Sequence, residues 1–153
     1  MTRLCCDVLK ALEGKTLATA ESCTGGMIGA MLTSVPGASK VYIGGIISYW
    51  SEGRLELLGG DEDDLKNLGP VSMQVAASMA EGARKALQAD VAVSVTGLAG
   101  PDGDEYGRPV GTVFIGFCNG AKTLAKQYRF SGGREEVRRQ AAEAALQLIL
   151  ECI

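Results

Sequence analysis

Ser22, Cys23 and Thr24 stand together in Ala20-Glu21-Ser22-Cys23-Thr24-Gly25-Gly26, with a carboxylate just before them and two glycines just after. A serine hydroxyl is a weak nucleophile until a base takes its proton. A thiol at the start of a helix can be ionised by the helix field, so Cys23 is the second candidate, against the plainer reading of a small buried residue beside a turn. A second glycine-bearing segment, Thr96-Gly97-Leu98-Ala99-Gly100-Pro101-Asp102-Gly103, offers backbone N–H groups with little side chain in the way. Such groups suit a phosphate or a developing oxyanion. Neither segment matches G-x-x-x-x-G-K-[ST] or G-x-G-x-x-G, so neither reads as a triphosphate or dinucleotide loop. Each alone could be a turn that needs positive φ. Both following strands, with hydroxyls at Ser22, Thr24 and Thr96, favours a ligand site.

The chain has no histidine. That excludes Ser-His-Asp and Cys-His systems, histidine metal sites and histidine pH switching. A base must come from lysine, tyrosine, a carboxylate or a thiol; Tyr49, Glu21, Glu52 and a lysine from elsewhere all stay open. Arg134 and Arg138 share a helix face and could grip a phosphate, although a solvated face fits equally. Tyr49 and Trp50 close a strand and read first as packing residues, with stacking on a ligand as the lesser alternative. Asp61-Glu62-Asp63-Asp64 lacks the spacing of a calcium loop and reads as the acidic first turn of a helix. No metal or cofactor is expected.

These residues need elements to hold them. Apolar spacing at Leu4, Val8, Leu9 and Leu12 predicts a helix that stops at Gly14. A strand follows over 16–20, a helix over 27–33, and a strand over 41–50 in which Gly44-Gly45 marks a bulge or a close backbone approach. Weaker helices fall at 52–58 and 61–68. A firm helix runs over 72–87, with Ser72 as N-cap. Strands over 91–95, 111–117 and 123–130 come next, the last two joined by the hairpin signal Asn119-Gly120. A final helix covers 134–151. This alternation predicts an α/β fold: a three-layer α/β/α single domain, 1–153, around a mixed, mostly parallel sheet.

A chain of 153 residues suits one domain. With 46% hydrophobic, 22% charged and only 5% aromatic residues, it must build an aliphatic, alanine-rich core. Net charge of −3 argues against a nucleic-acid partner. No apolar run approaches the roughly 20 residues that cross a bilayer. Five cysteines without a C-x-x-C pair, and no signal peptide at the start, predict a reduced, cytoplasmic thiol set.

Four segments in one order carry a family resemblance: Ala20-Glu21-Ser22-Cys23-Thr24-Gly25-Gly26, Gly69-Pro70-Val71-Ser72, the segment from Thr96 to Gly103, and Pro109-Val110-Gly111-Thr112-Val113. Together they resemble the C-terminal domain of CinA, the competence/damage-inducible protein family, over about residues 3–151. Stand-alone members are nicotinamide-nucleotide amidohydrolases. The resemblance implies hydrolysis of the carboxamide of nicotinamide mononucleotide to nicotinic acid mononucleotide and ammonia, without a required metal, by a domain that is usually a homo-oligomer. It implies Ser22 as nucleophile with a lysine as base.

Where the family has Y-[ST]-N-E-x-K, this chain reads Tyr49-Trp50-Ser51-Glu52-Gly53-Arg54, so Arg54 stands at the lysine position. An arginine stays protonated and is not an ordinary base, but it can orient an anion or stabilise an oxyanion. Likewise, Ser131-Gly132-Gly133-Arg134 replaces a common S-G-D-R. The expected catalytic set is Ser22, Tyr49 and Arg54. The expected substrate-binding set is Cys23, Thr24, Gly25, Gly26, Gly45, Thr96, Gly97, Gly100 and Arg134, holding a small pyridine nucleotide. The alternative is a catalytically lapsed nucleotide-binding or regulatory domain of the same family.

Overall fold

The computed structural model describes residues 2–50 and 58–153. Among them, five strands form one sheet in the order β2-β1-β3-β4-β5. Strand β1 (Leu17–Glu21) pairs in parallel with β2 (Tyr42–Ile47) on one side and with β3 (Val91–Gly97) on the other. Strand β4 (Thr112–Cys118) runs antiparallel to β3, and β5 (Thr123–Arg129) antiparallel to β4. Four of these five strands therefore point one way and β4 alone is reversed. This is the mixed, mostly parallel sheet expected from the sequence.

Burial follows position in the sheet. Every residue of β1 and β4, and all of β3 but Gly97, is buried, as strands covered on both faces require. At the edge, β2 alternates between partly buried and exposed. One sheet face, built from Val91, Val93, Val95, Val113, Ile115 and Phe117, packs against α1 (Thr2–Ala11), α2 (Met27–Thr33) and the last helix, α5 (Arg134–Cys152). The opposite face presents Ala18, Ala20 and Ala92 to α4 (Met73–Leu87). Small residues let α4 lie close: Ser94 Oγ donates to the Ala76 carbonyl at 2.5 Å, and a Cβ on Gly116 would strike that same carbonyl.

Local chemistry sets the element ends. Asp61 caps the short helix α3 (Glu62–Leu68) by accepting from the Asp64 N–H at 3.0 Å, so the acidic run is a cap and a first turn. Ser72 caps α4 through the Val75 N–H at 3.1 Å. In the β4–β5 turn, Asn119 Oδ1 accepts from the N–H groups of Ala121 and Lys122 at 3.1 and 2.8 Å, and Gly120 takes φ of +87°. Two strand ends differ from the sequence expectation by more than one residue. Strand β2 stops at Ile47, not Trp50, because its one partner ends at Glu21, opposite Ile47. Strand β3 continues past Val95 because β4 pairs with it as far as Gly97. The helix expected over 52–58 lies outside the described residues except for Leu58. Among the described residues, no helix is long and apolar enough to cross a membrane.

The topology marks one place for a ligand. After β1 the chain moves outward through α2 to β2; after β3 it moves the other way, to β4. The loops leaving β1 and β3 diverge at neighbouring carboxyl ends, and the crevice between such loops is where open α/β sheets bind ligands.

Candidate active site

The loop that carries Ser22 is fixed by the residue before it. Glu21 is 2% exposed, and its carboxylate meets four donors. Oε1 accepts from Thr24 Oγ1 at 2.7 Å and from the Ile28 N–H at 2.9 Å. Oε2 accepts from the Gly29 N–H at 3.1 Å and, at 3.5 Å, from Thr19 Oγ1. Helix α2 begins after Gly26, which has no side chain to satisfy the first-turn N–H groups, and Glu21 does so instead. From the far side, Arg138 of α5 donates Nε to the Cys23 carbonyl at 2.9 Å and Nη2 to the Thr24 carbonyl at 3.1 Å. Ser22 donates its N–H to the Val95 carbonyl at 3.0 Å. The loop is thus held by α2, α5 and β3 together, with Ser22 at the carboxyl end of β1.

Ser22 and Cys23 line a cavity of about 510 Å³, within the size range of small-molecule sites. Its other walls include Tyr49, Gly97, Gly100 and Arg134. Arg134, the first residue of α5, donates Nη1 to the Gly100 carbonyl at 2.6 Å and Nη2 to the Tyr49 hydroxyl at 2.9 Å. One guanidinium therefore ties the β3–β4 loop to the end of β2. Gly97 is required by close approach: a Cβ there would lie 2.6 Å from Val113 Cγ2. The wall at Pro70 and Val71 is held by Thr96, whose hydroxyl donates to the Pro70 carbonyl at 2.7 Å.

Of the residues singled out in the sequence, Ser22, Cys23, Tyr49, Gly97, Gly100 and Arg134 meet on this cavity. Thr24 and Thr96 are fully buried with their hydroxyls committed to Glu21 and Pro70. Gly25 is exposed, beside Arg138. Gly26 and Gly45 line a separate cavity of about 170 Å³ between α2 and β2, with Thr19, Glu21 and Tyr42. Arg54 and Glu52 lie outside the described residues. Arg138 clamps the Ser22 loop and does not share the cavity with Arg134. Glu21, an open candidate for the base, instead spends both oxygens on α2 and its approach loop. Sequence reasoning assigned Trp50 a ligand-stacking role only as the lesser alternative and assigned Asp102 no role of its own, yet both line the cavity, Trp50 well exposed. Asp102 follows Gly100 in the same loop and Trp50 follows Tyr49, so proximity in the chain was the available signal.

The sequence model of the CinA C-terminal domain matches residues 2–153. The chain belongs to the CinA C-terminal domain family. It is 46% identical over 135 residues to a CinA-like protein of Sulfurihydrogenibium, covering 88% of this chain and 34% of that protein. Against a CinA-like protein of Thermotoga neapolitana it is 45% identical over 133 residues, 87% of this chain and 32% of the relative. The chain thus spans about a third of the length of the curated CinA relatives it matches. Among solved structures, a CinA superfamily protein from Escherichia coli superposes with a TM-score of 0.96 at 31% identity, over 99% of this chain and 90% of that one. The competence/damage inducible protein of Agrobacterium tumefaciens gives 0.94 at 34% identity, over 98% and 93%.

Proposed function

We propose that this CinA domain is an amidohydrolase that converts nicotinamide mononucleotide to nicotinic acid mononucleotide and ammonia. The observation that carries the reading is the placement of Ser22 at the end of β1, on one cavity with the Gly97 and Gly100 backbone and the Arg134–Tyr49 pair. Ser22 Oγ attacks the carboxamide carbon and gives up its proton, forming a tetrahedral oxyanion. Backbone N–H groups of the glycine-bearing loops stabilise that charge, each such donor being worth about 3 kcal/mol in other enzymes. Collapse expels ammonia after protonation of the amine, and water then hydrolyses the acyl-serine to release the acid and restore Ser22. Among the described lining residues, Cys23, Tyr49 and Asp102 are the groups able to exchange the proton. Tyr49 accepts from Arg134 through its oxygen, which leaves its O–H as a donor toward a departing amine.

The deciding measurement is ammonia release from nicotinamide mononucleotide by the purified chain, with Ser22→Ala as the control. Serine-dependent release is expected; equal release from both proteins would transfer the nucleophile's role to Cys23. A second reading, a lapsed domain that binds the nucleotide without turning it over, draws its support from Arg54 at the family's lysine position. It predicts nucleotide binding with no release. In that case Arg54→Lys restores a titratable amine, and the gain of ammonia release marks the missing base as the defect.

A further inference from the structure

Trp50 is the chain's one tryptophan and is 76% exposed while lining the 510 Å³ cavity beside Tyr49. An indole this exposed contributes little to a core, where aromatic rings earn their place by area removed from water. The packing reading of this residue therefore fails. The same cavity is lined by an exposed carboxylate, Asp102, and by the Arg134 guanidinium. Arg134 is positioned by Gly100 and Tyr49. A π face, an anion and a cation on one surface complement a zwitterion that carries a cationic ring and an anionic tail.

We propose that Trp50, together with Asp102, is a recognition site for an N-substituted pyridinium ring, so that the cavity selects the cationic ring over a neutral ring of the same shape. The proposal rests on the amidohydrolase reading for the identity of the ligand and adds the means of selection. Tryptophan has the strongest cation–π face of the aromatic side chains, and a neutral pyridine receives only stacking from it. The Asp102 charge adds attraction for a pyridinium and none for its neutral counterpart. The Arg134 end suits the phosphate of a mononucleotide. Trp50 stands where the resembled family pattern has serine or threonine, so the selection belongs to this chain's own sequence.

Because no second indole competes, the fluorescence of the protein reports this position directly. The probes are nicotinamide mononucleotide, the N-methylnicotinamide cation and neutral nicotinamide, titrated into the wild type, Trp50→Phe, Trp50→Ala and Asp102→Asn, with calorimetry in parallel. Both residues are exposed, so the variants keep the fold. Expected are quenching by both cationic probes and about tenfold weaker nucleotide binding in Trp50→Ala, equivalent to about 1.4 kcal/mol. Trp50→Phe should lie between, Asp102→Asn should narrow the preference for cation over neutral ring, and Trp50→Ala should raise KM more than it lowers kcat. Equal calorimetric affinity in wild type and Trp50→Ala would overturn the proposal and leave the amidohydrolase reading standing. Wild-type protein that binds no nucleotide would overturn both. Unchanged affinity with a smaller sedimenting species in Trp50→Ala would assign the indole to contact with a second copy instead.

Discussion

A carboxylate directly before a candidate serine invites assignment as its base, but neighbours along a strand point to opposite sides of the sheet. Glu21 faces α2, where it collects two backbone N–H groups and two hydroxyls. An amide in its place would turn an NH₂ toward at least one of those donors. Glu21→Gln is expected to cost about 1–3 kcal/mol, the range for leaving a buried donor unsatisfied, and chemical denaturation measures it. A midpoint equal to wild type would return Glu21 to the pool of catalytic bases. Alternation also explains Thr96, which shares the face of Ala92 and Ser94. Its orientation was legible in the sequence. Its partner was not, because the Pro70 carbonyl comes from a distant turn.

Elements were legible where a local rule specifies them. Ser72 and Asp61 cap the helices they precede, and Asn119-Gly120 turns the hairpin it signals. Strand ends were not, since a ladder stops where its partner stops, as β2 does at Ile47. The clamp between α5 and the Ser22 loop was equally hidden: helical spacing set Arg138 on one face with Arg134, but no local signal shows that it reaches this loop while Arg139 pairs on the surface with Glu136 and Glu143. Arg138 instead spans to Cys23 and Thr24 with two nitrogens in a fixed plane. A lysine offers a single point donor and cannot reproduce that fork. Arg138→Lys should lose about 1–2 kcal/mol of stability. By loosening Ser22 it should also lower kcat more than it raises KM, and steady-state kinetics beside a denaturation curve separate the two effects. A uniform rise in KM alone would place Arg138 in ligand binding.

For the whole molecule, the layers followed from alternating elements, whereas the strand order that sets β1 between β2 and β3 depends on which crossovers pack best. The same layers shape its response to base. Burial pushes the Cys5 and Cys152 thiols above their ordinary 9.0, and the Tyr42 and Tyr128 phenols above 10.0. For Tyr42 the Thr19 hydroxyl opposes the rise and the Glu21 charge adds to it. All four groups hold their protons more tightly folded than unfolded. Their contribution is full below the unfolded values and is lost as pH rises through the shifted ones. Denaturation midpoints should therefore fall beyond about pH 9, and Tyr42→Phe, though weaker at neutrality for want of its bond to Thr19, should decline less steeply. A slope identical to wild type would remove Tyr42 from this account.

The β4–β5 turn also governs how the molecule ages. When glycine follows asparagine, its backbone nitrogen can attack the side-chain amide with no Cβ-bearing neighbour in the way; ammonia leaves, and water then opens the cyclic imide to a carboxylate. Asn119 Oδ1 is held by Ala121 and Lys122, so ring closure must wait for that turn to open locally. A stored preparation accordingly accumulates a more acidic isoform at the pace of this opening, and its charge heterogeneity is a clock for one hairpin while the rest of the sheet stays intact.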